Sequence, residues 1–180
     1  WRINSPVNPS RPRKPTARDQ RTERPHEGLD ARATHGTPQR SPISDVPIIF
    51  QSMNSSGDVV YQVGTLEDPV RLEGESLEHA QQRYQNGRLP VMTLRHNAGY
   101  NARGGFGCRL GRDGCYLHAP VEDENGELQV VPNPQPGDVI DSDTTLAHAS
   151  NIAAEGAHQH IEFDIEGDEY KILDNLIEKS

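Results

Sequence analysis

The chain has 180 residues, enough for one domain of ordinary size with long loops. Hydrophobic residues make up 32% and mean hydropathy is -0.80, so the core must be lean. Net charge is -9, but nine of the 18 basic and only four of the 27 acidic residues fall within 1–40, giving +5 there and -14 in the rest. An acidic body argues against general nucleic-acid binding. No apolar run approaches the ~20 residues of a membrane span. The chain opens at Trp1 rather than Met and shows no signal peptide. It is therefore expected to be one domain of a longer protein.

In chain order, residues 1–25 form a basic, Pro-rich stretch. Pro6, Pro9, Pro12, Pro15 and Pro25 exclude regular helix, so an irregular arm or loop is expected. Residues 26–33 (HEGLDARA) alternate after Gly28, as a short strand entered through a glycine bend would. Residues 46–50 and 58–63 read as strands. Within an insert at 66–88, residues 76–86 read as a helix. Ser76 serves as its N-cap, Leu77, Ala80 and Tyr84 share a face, and Gly87 ends it. Residues 90–95 are a strand, followed by the glycine-rich GYNARGGFG loop. That loop does not follow a strand and open a helix in the dinucleotide-binding pattern, so a nucleotide site is rejected.

Cys108 and Cys115 flank RLGRDG. Two strands joined there would bring both thiols within disulfide reach, which suits an oxidising compartment. Residues 115–122 and 127–131 are expected as strands around the Asn125-Gly126 turn, with another short strand at Val139-Ile140. Residues 157–165 (AHQHIEFDI) alternate cleanly, and 169–179 fit a short helix. There are no internal repeats. Together these elements predict a mainly β, antiparallel domain with long loops and short peripheral helices.

AHQHIEFDI is the most informative segment. In a strand, His158, His160 and Glu162 share a face, with neighbours ~6.5–7 Å apart. Two imidazoles at that spacing bind one ion poorly as adjacent ligands. One can bind zinc while the other reaches a water or oxyanion beside it. Two surface histidines on an exposed face are the plainer alternative. In HEGLD, a bend at Gly28 would allow His26 and Asp30 to reach one ion; Asp30 pairing with Arg32 or capping a turn is the alternative. His118, in YLHAP, is expected near a strand end.

Taken in order, HxxxD, then YxH, then HxHxE resemble the lysostaphin-like (LytM-domain) zinc metallopeptidases, which hydrolyse bacterial peptidoglycan. Most of the chain takes part. INSPV is similar to the family's opening strand, Gly36-Thr37-Pro38 to its Gly-Thr-Pro segment, and LRHNAGY to the strand and turn before YxH. PGDVI followed by HQHIEF is similar to its PGQxIG and HLHFE. The resemblance implies His26, Asp30 and His160 as ligands of Zn2+. It implies His118 and His158 as unligated histidines that polarise the scissile carbonyl or position water. His35, His79, His96 and His148 fall outside the motif.

The implied function is a peptidoglycan endopeptidase cutting peptide cross-links between stem peptides, in the periplasm or outside the cell. An N-acetylmuramoyl-L-alanine amidase on the same site and a non-catalytic wall-binding module are the alternatives. Long polar inserts also suit an antibacterial toxin domain, which would need an inhibitory immunity-type partner. Neither a nucleic-acid partner nor a membrane span is expected.

Overall fold

The structure, a computed structural model, describes residues 2–5, 8–12, 25–26, 29–41, 46–72, 74–141, 143–152 and 156–164, with side chains described from Ala31 to Phe163. The helix expected at 169–179 lies outside the described residues. The chain opens with β1 (Arg2–Ser5), β2 (Asn8–Pro12), β3 (Pro25–His26), β4 (Leu29–Arg32) and β5 (Pro38–Gln39). β6 (Ile48–Met53) and β7 (Val59–Val63) lead to α1 (Leu77–Gln85), which is the one helix among the described residues, and then to β8 (Val91–Arg95). β9 (Ala98–Tyr100) pairs with β10 (Phe106–Arg109), and β11 (Val121–Glu122) with β12 (Leu128–Gln129). β13 (Val139–Ile140), β14 (Ala147–His148) and β15 (His158–Asp164) follow.

Seven strands build the main sheet in the order β1-β4-β15-β8-β7-β6-β13, all antiparallel. The domain is thus mainly β, as its composition and alternation predict. β15 arrives last in sequence yet lies centrally, between β4 and β8.

One face of this sheet makes the core. Ile48 and Phe50, then Val59, Tyr61 and Val63, then Met92 and Leu94, then Ile161 and Phe163 are buried at every second position. Leu110, Leu117 and Leu146 cover that face from the loops. The Tyr61 hydroxyl donates to the carbonyl of Leu146 at 2.8 Å, and burial pushes its pKa up. A polar group placed this deep must be bonded, and this one fastens the loop ahead of β14 to the sheet.

Several elements differ from expectation. The N-terminal stretch is not irregular throughout, because β1 pairs with β4 and β2 with β3. Proline excludes helix but tolerates short edge pairing. The glycine-rich segment does not stay a loop: Tyr100 pairs with Phe106 and Ala98 with Arg109. The strands expected over 115–122 and 127–131 shorten to two residues each around the Asn125-Gly126 turn. Their side chains Val121 and Leu128 stay exposed, so no burial extends the pairing.

The 66–88 insert is anchored to the domain through a few buried residues. Ser76 caps α1 by accepting from the His79 amide. Ala80 and Tyr84 are buried, and Val70 joins the core. The Tyr84 hydroxyl donates to the Val63 carbonyl and accepts from the Val70 amide. Arg83 and Glu75 pair beneath the helix, and the guanidinium also donates to the Val70 carbonyl.

Cys108 and Cys115 form a disulfide, with Cα atoms 5.9 Å apart. Cys108 lies on β10, and Cys115 follows the turn. Among the described residues, no helix is long and apolar enough to cross a membrane.

Candidate functional site

β15 presents two chemically different faces. Gln159, Ile161 and Phe163 are buried, while His158, His160 and Glu162 are half-buried on the opposite side. The alternation read from the sequence is therefore realised in full. His160 stands directly opposite Asp30 of β4 on one side and Arg95 of β8 on the other. Asp30 and His160 are thus cross-strand neighbours in register. His26 ends β3, where it pairs with Asn8 of β2. The side chains of His26 and Asp30 lie outside the described ones. Among the described residues, no group of three or more His, Cys, Asp or Glu is gathered to hold a metal ion.

Each ring of the paired histidines is oriented by its own partner. His158 Nδ1 lies 2.9 Å from the Gly156 carbonyl. A carbonyl only accepts, so Nδ1 carries the proton and the neutral ring keeps its lone pair on Nε2. His160 Nε2 lies 3.0 Å from Glu162 Oε1. Donation from Nε2 to the carboxylate puts the lone pair of the neutral ring on Nδ1. An imidazole backed by a carboxylate is the usual arrangement of a metal-binding histidine, so His160 suits that role chemically.

Glu162 is itself held by Arg95. The Arg95 Nη2 donates to Oε2 at 3.1 Å, and Nε sits 3.0 Å from Oε1 at ion-pair distance, without hydrogen-bond alignment. Burial raises the Glu162 pKa, but the hydrogen bonds from His160 and Arg95 and their charges outweigh it, and the net direction is down. His96 adjoins this group with a left-handed backbone, φ 61. Burial lowers its pKa; Asp58 opposes that, while His160, His158 and Arg95 add to it. Arg95 and His96 fall within LRHNAGY but outside the ligand and catalytic positions of the motif.

A second histidine group lies around His148. The Gly36 amide donates to the Ala149 carbonyl at 2.8 Å, and the Ala149 amide to the Thr37 carbonyl at 2.9 Å. The Gly-Thr-Pro segment thus pins the stretch that carries His148. Gly36 adopts φ 90, and a Cβ there would stand 3.3 Å from the Phe106 ring, so glycine serves both conformation and space. His148 is 4% exposed, and its ring meets Tyr100 and Phe106 edge-on at 5.4 and 5.3 Å. His35 packs on the other flank of Phe106 at 4.9 Å and accepts from the Asn151 amide.

His118 is half-buried and close enough to His148 for their charges to interact. Burial lowers the pKa of His118. Burial, with His118 second, lowers that of His148 to about 4. Both imidazoles are therefore neutral near pH 7. The two groups are joined by the chain itself: Ser150, two residues past His148, bridges to His158. His148 lies outside the motif, and its burial on β14 follows from tertiary packing rather than from sequence spacing.

Comparisons with family models, curated proteins and solved structures gave no match.

Proposed function

We propose that this domain is a metallohydrolase with a zinc site at His26, Asp30 and His160, and more particularly a peptidoglycan endopeptidase that cuts peptide cross-links. The observation that carries the reading is the position of His160. It is in register with Asp30 across β4 and β15, is backed by Glu162, and shares its face with His158. The ordered motifs HxxxD, YxH and HxHxE add to it. A zinc ion bound there would supply Lewis acidity and lower the pKa of a coordinated water.

The remaining chemistry belongs to the chain. His158, with Nδ1 engaged by Gly156, offers Nε2 to accept a proton from an attacking water. His118, held neutral by partial burial, can donate to an oxyanion or orient the scissile carbonyl. The buried His148 neighbours His118 and is itself flanked by the rings of Tyr100 and Phe106. The disulfide supports placement in the periplasm or outside the cell, where stem peptides are met.

The test is incubation of the purified domain with peptidoglycan, with and without a chelator, followed by mass analysis of the products and metal analysis of the protein. Cross-link peptides released only without chelator, and about one zinc per chain, are expected. Release of intact stem peptides from the sugar would identify an amidase instead. A chain that holds no zinc and releases nothing would be a wall-binding module. The same zinc content in His26→Ala/His160→Ala as in the native chain would remove the ligand assignment.

A further inference from the structure

The face of the sheet opposite the core carries a chain of charged groups that runs from β15 across β8 to the start of β7. Glu162 Oε1 touches His160 Nε2 at 3.0 Å. Arg95 donates from Nη2 to Oε2 of Glu162 at 3.1 Å and brings Nε to ion-pair distance of Oε1, 3.0 Å. On its far side Arg95 Nη1 lies 3.7 Å from Asp58 Oδ2, just before β7 begins. Asp58 is fixed in turn by the Asn54 amide side chain at 3.2 Å and the His96 backbone amide at 3.3 Å. The strand register makes this possible. Arg95 is the direct cross-strand partner of His160, and Glu162 pairs with Thr93 two positions along β8. The guanidinium therefore reaches Glu162 on the diagonal.

We infer that Arg95 is a positioning residue of the site: through Glu162 it fixes the tautomer and ring plane of His160, and Asp58 holds Arg95 for that task. The inference rests on the zinc reading above. Two observations separate this role from plain stabilisation. Arg95 is 41% exposed and Glu162 23%, and ion pairs so placed add little to folding. His160, which meets Glu162, is only 13% exposed, so its ring is the group whose orientation the network controls. Arginine suits the position because its planar fork meets two carboxylate oxygens at once, which a lysine ammonium does not reproduce.

The experiment compares the native domain with Glu162→Gln, Arg95→Gln, Arg95→Lys and the double variant Arg95→Gln/Glu162→Gln. Zinc affinity is measured by chelator competition. Ligand geometry is read from the visible absorption of the cobalt-substituted protein, and fold from thermal unfolding of the metal-free protein. Zinc affinity should fall about 10–100-fold in Glu162→Gln and Arg95→Gln, with a shifted cobalt spectrum and a little-changed metal-free unfolding temperature. Arg95→Lys should fall between these and the native domain. The double variant should lose no more than Glu162→Gln alone, because both residues act through one link. It also leaves neither Arg95 nor Glu162 as a lone charge facing the other's absence, so it serves if a single variant folds poorly. Unchanged affinity and spectrum in both single glutamine variants would overturn the inference. So would fully additive losses in the double variant. His160→Ala serves as the control: if it and the native domain take up zinc equally, or neither does, the metal reading itself fails and takes this inference with it.

Discussion

His148 meets Tyr100 edge to face with ring centroids 5.4 Å apart, which ties the segment ahead of β15 to the β9–β10 hairpin. The contact places a neutral imidazole inside an aromatic cluster beside His118.

The pH dependence follows from that burial. The folded pKa of His148, about 4, lies below the ordinary value of 6.5. The unfolded chain therefore binds the proton more tightly, and stability rises with pH between these values. The contribution is full above pH 6.5 and is lost as pH falls through about 4. His118, also lowered, acts in the same direction. Urea unfolding of the metal-free domain should weaken by on the order of 2–3 kcal/mol across this window. His148→Phe, which keeps the ring contacts and removes the titration, should flatten that dependence. An equally steep profile in the variant would assign it to other groups.

Removal of His118 or His158 should separate chemistry from metal binding. His118→Ala and His158→Ala are expected to keep zinc and fold while losing peptidoglycan hydrolysis by ~10²–10³-fold each. Metal analysis and product release on the same samples check this. Near-native hydrolysis by either variant would take that residue out of the mechanism.

The pair beneath α1 holds the 66–88 insert together. Arg83 holds the Glu75 pKa down to about 2 by hydrogen bonding, against the opposing effect of burial. Glu75 is 4% exposed at the side chain and Arg83 10%, so breaking the pair leaves a buried charge. Glu75→Gln should cost about 2–4 kcal/mol at neutral pH. That difference is present above pH 4.5 and disappears as pH falls through about 2, since the native carboxyl is then protonated too. Equilibrium unfolding at both ends of the range measures it, and equal stabilities at neutral pH would show the pair to be dispensable.

Cys108 and Cys115 close a short loop, so the disulfide should contribute modestly, about 2 kcal/mol in the chain-entropy view. Thermal unfolding of Cys108→Ser/Cys115→Ser against the oxidised native protein gives the value. Alkylation of both thiols in native, non-reduced protein would show that the bond does not form.

Local pattern carried the strands whose side chains alternate strictly. β15 and β7 were legible because Ile161 and Phe163, and Val59, Tyr61 and Val63, stand two apart, and α1 because Ser76, its apolar face and Gly87 agree. The β9–β10 hairpin was not legible. Its glycines read as loop, whereas its pairing rests on tertiary support from Phe106, His35 and His148. His118, His158 and His160 stand out as motif residues. Arg95 and Asp58 do not, since only the register between β7, β8 and β15 brings them to Glu162 and His160.

β15 writes two messages in alternate letters. Its odd-numbered positions, Gln159, Ile161 and Phe163, face the core; its even-numbered positions, His158, His160 and Glu162, face the proposed chemistry. A slip of one residue would swap them, sending imidazoles into the interior and apolar groups to the surface. A one-residue insertion or deletion within this strand should be poorly tolerated, and a saturating mutational survey should score it as a comb. Losses at odd positions would appear as poor accumulation of protein. Losses at even positions would appear as well-folded protein that leaves peptidoglycan intact.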